Sequence, residues 1–242
     1  MDWSGSLAIE PGRLTYVGSL GDAHTHSHAA VQITAVLDGE VEFGDDAGEL
    51  VHARAAIIPS GVSHHVQAGA VTGVMIYLDP TSPAARAAVA RIDPIDRTSV
   101  TAWTIAAQNL PTGADLSPST LLAALLGPAP GPTAPHPCVS AAITLIPAVL
   151  ADGPVRVGDI AAEVGISADR LGRLFARDMG LSFPAYVRWA RLLRAAEIAR
   201  AGDTLTNAAH AAGFTDGAHL NRVVHEMFGL TPSHMIQSIT LT

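Results

Sequence analysis

The stretch VGDIAAEVGISADRLGRLF, residues 157–175, decides the fold of the C-terminal half of this chain. Ala161, Gly165 and Leu171 stand in it at relative positions 0, 4 and 10. A small residue lets two helices cross closely, a glycine permits a left-handed turn between them, and the later leucine holds the second helix on the first. Ser167 stands where the second helix needs an N-cap. That helix then offers Asp169, Arg170, Arg173 and Arg177 on its exposed face. The pattern predicts a helix-turn-helix unit.

Working outward, the small-to-glycine spacing recurs at Ala209 and Gly213 in TNAAHAAGFTDGAHLNRVV, residues 206–224, ahead of a helix exposing His219, Asn221 and Arg222. Between the two units, SFPAYVRWARLLRAAEIAR (182–200) predicts a helix of about 18 residues, about 27 Å long at 1.5 Å per residue. Successive major grooves on one face of DNA lie about 34 Å apart, so one chain can present two recognition helices to adjacent grooves. Glycines 153, 165, 180, 202, 213 and 229 break the region into short helices. Pro147, inside SAAITLIPAVLADG, predicts a kink or a late start for the first of them. Upstream, GPAPGPTAPHP (127–137) holds five prolines and reads as a semi-extended linker. The DNA-reading domain is thereby expected at 138–242.

Charge is divided at that linker. The chain carries −8 in all, yet from Cys138 onward nine arginines balance nine acids, so the first 137 residues hold the whole excess. All fourteen basic residues are arginine. A neutral DNA-binding half depends on where its arginines point rather than on bulk charge. The single cysteine excludes an internal disulfide. The opening MDWSGSLAIEPGRL lacks the order of a secretory signal, and no apolar run approaches the roughly 20 residues that span a bilayer. The chain therefore reads as a cytoplasmic protein with no membrane partner.

Residues from about 139 to 237 resemble the DNA-binding domain of the AraC/XylS family of transcriptional regulators. The resemblance rests on Ser167-x-x-x-Leu171-x-Arg173-x-Phe175, on Arg191-Leu192-x-x-Ala195, on Gly213-Phe214-x-Asp216 with Asn221-Arg222, and on Gly229-Leu-Thr-Pro232. Ala218, His219, Leu220 and Val224 replace the usual serine and aromatics, and Ile236 stands where arginine is common. The resemblance implies that Arg173 and Arg222 grip phosphate or base edges. It implies also that Ala168, Asp169, Arg170, Asp216 and His219 face the groove, with Arg177 and Asn221 on the same surfaces. The partners it implies are double-stranded DNA, a second copy of the chain and RNA polymerase.

The first half has a different grain. VQITAVL, EVEFG, ELVHA, AAIIP and GVMIYLD, separated by Gly, Asp and Pro, predict an all-β barrel over residues 1–80. SPAARAAVARI and SPSTLLAALLG, each opened by Ser-Pro, predict flanking helices within 81–126 that cover the barrel or pair two subunits. Its chemistry lies in His24-Thr-His26-Ser-His28-Ala-Ala-Val-Gln32, then Gly39, then Pro59-Ser-Gly61-Val-Ser-His64-His65. On one strand, His24, His26 and His28 point to one face, with Gln32 on the same side and His64 facing them.

These residues resemble the two motifs of the cupin barrel, with Gln32 where glutamate is usual and Ala53 where a glycine often opens the second motif. Cupins hold a divalent metal, which carries over to His26, His28, Gln32 and His64. Three imidazoles and an amide suit zinc, nickel, copper, cobalt or ferrous iron rather than calcium or magnesium. The alternative is that the histidines line an organic-effector pocket or hold hydrogen bonds in the core, with His24 and His65 as spare donors.

The expected fold class is thus an N-terminal all-β cupin-like barrel with flanking helices, joined to a C-terminal all-α domain with two helix-turn-helix units. The expected function is sequence-specific transcriptional regulation, controlled by a metal or small-molecule effector in the barrel. The expectation is not an enzyme. Two other readings are a cupin-type metalloenzyme fused to a DNA-binding domain and an effector-independent DNA-binding protein.

Overall fold

A computed structural model describes residues 3–10, 12–69, 71–92, 96–127 and 134–228, and the backbone of 239–241. The chain divides into two units, Met1–Pro132 with His225–Thr242, and Thr133–Val224. The N-terminal region is strand-rich and the C-terminal region helical, as the sequence predicts. The prolines of 128–133, the Gly229-to-Pro232 signature and Ile236 fall outside the described residues.

In the first unit one sheet has the order β10 (Ile239–Leu241), β1 (Ser4–Glu10), β2 (Arg13–Ser19), β9 (Thr72–Leu78), β4 (Val31–Val36), β7 (Ala55–Ile58). It is antiparallel except where β10 runs parallel to β1. The second sheet has the order β3 (Ala23–His26), β8 (His64–Gln67), β5 (Val41–Asp45), β6 (Leu50–Ala53). Every residue of β4 and β7 is buried; β7 is accordingly an unbroken apolar run, AAII, whereas β4 buries the polar Gln32 and Thr34 at alternate positions. Helix α1 (Pro83–Val89) packs on β4 and β7, and α2 (Val100–Ala107) on β5, β6 and β7. The Ser-Pro openings behave as read: Ser82 accepts from Ala85 N–H and Ser117 from Thr120 N–H, with proline in the first turn of α1 and of α3 (Pro118–Leu125).

Helix α2 was not legible in the sequence. Its VTAWTIAA is rich in β-branched residues, and its N-cap Ser99 makes no side-chain bond. Its start is held from a distance. Asp45 accepts Val100 N–H on Oδ2, at 3.1 Å, and Ala47 and Glu49 N–H on Oδ1, both at 3.0 Å. One buried carboxylate thereby closes the β5–β6 turn and caps α2.

The second unit contains α4 (Pro137–Val149), α5 (Val157–Glu163), α6 (Ala168–Met179), α7 (Phe183–Arg200), α8 (Leu205–Ala211) and the start of α9 (Gly217–Phe228). Pro147 neither delays α4 nor ends it at once: the helix begins at Pro137 and the proline lies in its last turn. Arg194 there donates to the Pro147 carbonyl at 3.2 Å. Ser167, Ser182 and Thr204 cap α6, α7 and α8 through the N–H groups of Arg170, Ala185 and Asn207. Ala161, Leu171, Phe175 and Trp189 are buried, and the Phe175 ring meets those of Phe183 and Tyr186 at 5.2 and 5.7 Å.

Candidate functional site

The turns between α5 and α6 and between α8 and α9 place the second helix of each unit. Gly165 has φ +72° and Gly213 φ +83°, so both occupy the left-handed region that the spacing required. A Cβ at Gly165 would meet nothing within 4 Å, whereas one at Gly213 would lie 2.1 Å from the Leu150 carbonyl oxygen. Arg191 is beside it, donating from Nη2 to the Gly153 carbonyl at 2.9 Å. Of the family-motif residues, Arg191 thus works inside the bundle and not on its surface.

On α6, Asp169, Arg170, Arg173 and Arg177 are exposed and Ala168 is half-buried. Arg170 and Arg173 make no side-chain hydrogen bond or ion pair among the described residues. Arg177 differs, since its Nε donates to Asp178 Oδ1 at 2.5 Å while Asp178 Oδ2 takes His136 N–H at 2.8 Å. On α9, Asn221 and Arg222 are exposed. Asp216 accepts His219 N–H at 2.6 Å, an N-terminal capping contact, and the His219 ring meets Phe214 edge-on at 5.3 Å. Asp216 and His219 therefore shape the start of this helix as well as bordering its outer face.

In the first unit, His26 and His64 are direct cross-strand partners on β3 and β8, Gln32 lies on β4, and His28 follows β3. Ring centroids are 4.2 Å apart for His26 and His64, 4.9 Å for His28 and His64, and 5.7 Å for His26 and His28. All three rings are buried, and one nitrogen from each lies within 4.8 Å of the others. The expectation that His24, His26 and His28 share one strand face is corrected here. Strand β3 ends at His26 and its register shifts between Ala23 and His26, so alternation fails and His24 is exposed. His65 is half-buried and, like His24, is not part of the cluster.

The hydrogen bonds fix the tautomers. His26 Nδ1 lies 2.6 Å from the His24 carbonyl, His28 Nδ1 2.9 Å from that of Ala30, and His64 Nδ1 3.0 Å from that of Val62. A carbonyl only accepts, so each Nδ1 carries the proton. Burial holds His26 down to about 4, with His28 reinforcing it, and lowers His28 and His64 as well. Neutral rings protonated on Nδ1 keep a lone pair on Nε2. His64 Nε2 is buried with no hydrogen-bond partner.

Gln32 is fully buried, with Oε1 2.8 Å from His28 Nε2 and Nε2 2.9 Å from Thr34 Oγ1. A half-turn of the amide exchanges its oxygen and nitrogen. With His28 neutral, the half-turned amide lets its N–H meet the ring and its oxygen take the Thr34 hydroxyl. The Tyr77 ring stands edge-on to His28 at 5.3 Å and Trp103 edge-on to His64 at 6.4 Å. Sequence reasoning missed Thr34, Tyr77 and Trp103. Thr34 was within reach as the next residue on Gln32's strand face; the other two come from distant segments.

Residues 160–238 match a family model described as "Helix-turn-helix domain". Over 95% of this chain and 98% of that one, the fold is similar to ToxT from Vibrio cholerae O395, at 11% identity and TM-score 0.58. Unsaturated fatty acid bound ToxT from V. cholerae strain SCE256 matches over 96% and 97%, at 11% identity and TM-score 0.60. A comparison with curated proteins returns no match. No helix among the described residues is long and apolar enough to cross a membrane. The chain thus carries a helix-turn-helix domain at residues 160–238, together with a strand-rich N-terminal region, in the two-domain fold that ToxT shares.

Proposed function

We propose that this chain is a sequence-specific transcriptional regulator that works in the cytoplasm and reads DNA with α6 and α9, and that a divalent transition metal in the barrel is its effector. Arg170 and Arg173 of α6 and Asn221 and Arg222 of α9 contact DNA directly. Ala168, Asp169, Asp216 and His219 border the same surfaces, and Arg177 contributes less because Asp178 already holds it. Homodimerisation and contact with RNA polymerase complete the reading.

The observation that carries the metal half is that three buried histidines each bring one ring nitrogen within 4.8 Å of the others, while each Nδ1–H is anchored to a backbone carbonyl and the lone pair is left on Nε2. This is the tautomer and the outer hydrogen bonding that metal-ligating histidines use. The unpartnered His64 Nε2 supports it, since a buried nitrogen without a partner is costly unless something is bound there. His26, His28 and His64 are the ligands this geometry favours, with Gln32 beside them. Bound metal supplies fixed positive charge and Lewis acidity. The protein's own part is to keep three imidazoles neutral and oriented away from water.

The test is the metal content of tag-free full-length protein beside His64→Ala, with operator affinity measured on both. Near-stoichiometric metal in the wild type, lost in the variant, with metal-dependent operator affinity, is the expected result. Folded protein that stays metal-free after exposure to zinc, nickel, copper, cobalt and ferrous ions refutes the metal half and leaves the DNA half standing.

A further inference from the structure

Cobalt, zinc or another dication held by His26, His28 and His64 would meet a donor set without charge. Among the described residues the candidate ligand group is these three histidines alone, with no carboxylate in it. Gln32 stands nearest, and it is an amide. The buried acid closest in register is Asp45, opposite His64 across β5 and β8. Its oxygens are committed to the N–H groups of Val100, Ala47 and Glu49, and those bonds cap α2 and close a turn. A double positive charge in so dry a place is unfavourable unless an anion accompanies it.

Resting on the metal reading above, we infer that the site binds its metal together with an exogenous monoanion of the hydroxide, halide or small carboxylate class, which occupies the coordination position a protein carboxylate would otherwise fill. Gln32 is the residue that sets this. A glutamate there would bring the net charge of the site down from +2 to +1 and take the place of an outside monoanion. An amide cannot lower that charge, but it has N–H groups to donate. With the amide half-turned at its 2.8 Å contact, one of them satisfies His28 Nε2 in the metal-free arrangement. When His28 gives that lone pair to a metal, the N–H is released and is free to hold the incoming anion, while Thr34 keeps the amide in place. The effector would then be a pair, metal plus small anion, so that the barrel reports both.

The experiment uses full-length protein loaded with Co(II), whose visible absorption reports its ligands, titrated with azide and with acetate. The expected result is a saturable one-to-one spectral change in the wild type and a Co(II) affinity that rises with anion concentration, as linkage demands. Gln32→Glu should bind Co(II) about a hundredfold more tightly, from pairing opposite charges at a buried site, and its spectrum should ignore both anions. Cobalt bound at the three histidines but blind to azide and acetate overturns this inference alone. No cobalt bound overturns the metal reading and the inference with it. The wild-type titration decides the matter even if Gln32→Glu folds poorly.

Discussion

Gly165→Ala and Gly213→Ala make the same chemical change at the same place in two helix-turn-helix units, and the structure gives them different costs. Both glycines have positive φ. A Cβ in the left-handed region costs about 1–2 kcal/mol, and the stiffer unfolded chain returns about 0.4–1 kcal/mol. At Gly165 nothing lies within 4 Å of the new methyl, so the net loss should be about 1 kcal/mol. At Gly213 the methyl would sit 2.1 Å from Leu150 O and 3.1 Å from Arg191 Nε. An unstrained carbon–oxygen contact needs about 3.3 Å, so the end of α4 must retreat and the Arg191 bond to Gly153 must stretch. Overpacking of that kind adds about 1–3 kcal/mol. The second variant should therefore melt roughly 10 °C below the first, for a cooperative unit of this size. Thermal unfolding of the full chain followed by helical circular dichroism measures the gap. Equal melting temperatures for the two variants would show that close approach at Gly213 is not what holds the second turn, and the spacing argument would lose half its basis.

Arg173→Ala and Arg222→Ala should each weaken operator binding and lower the slope of log affinity against log salt by about 1 if the lost contact is to phosphate. Arg177→Ala should do less than either, because Asp178 already engages that guanidinium; electrophoretic or anisotropy titrations at two salt concentrations decide the order, and an equal loss at Arg177 contradicts it. Metal-free protein should lose stability in acid. The unfolded His26 takes a proton near 6.5 whereas the folded one resists until about 4, so stability is full above pH 6.5 and falls as pH drops through that window. His26 alone accounts for about 3 kcal/mol, and urea midpoints at pH 7.5 and 4.5 test it: a His26→Gln variant with unchanged acid sensitivity counts against the assignment. Asp45→Ala strands three N–H donors and uncaps α2, at a cost of about 2–4 kcal/mol, whereas a loss below 1 kcal/mol by urea denaturation would mean that water replaces the carboxylate.

What the sequence made legible is what neighbours along the chain decide. The small-to-glycine spacing, the Ser167 cap and the 18-residue helix α7 are local, and each is found where the spacing put it. The histidine cluster was legible as a set because cupin-like spacing names its members, yet the geometry was wrong at His24. A register shift of β3 against β8 ejects that ring, and nothing in Ala-His-Thr-His announces a bulge. Helix α2 was invisible for a related reason, since its β-branched residues argue for a strand and its cap is a carboxylate far away in sequence. The Arg177–Asp178 pair was also hidden, because adjacent residues on a helix do not ordinarily face one another.

Two distant contacts, those of Asp45 and of Trp103, meet on α2. A ligand moves a protein only through contacts that differ between two arrangements. His64 and Gln32 sit on strands whose neighbours hydrogen-bond on both sides, and such strands have little freedom to give. Trp103 is different: it meets His64 edge-on from a short helix whose start hangs on Asp45, and its Nε1 donates to the Arg97 carbonyl at 2.9 Å. A change in charge at His64 Nε2 acts on the Trp103 ring at one end of that contact and, through the β5–β8 pairing, on the strand that carries Asp45 at the other. Both reach α2. That helix turns Ile105, 58% exposed, outward. Helix α2 is therefore an element by which an event at the buried histidines can alter the surface, and, if the proposed metal is the effector, substitutions that loosen α2 should uncouple metal binding from DNA affinity while leaving both measurable.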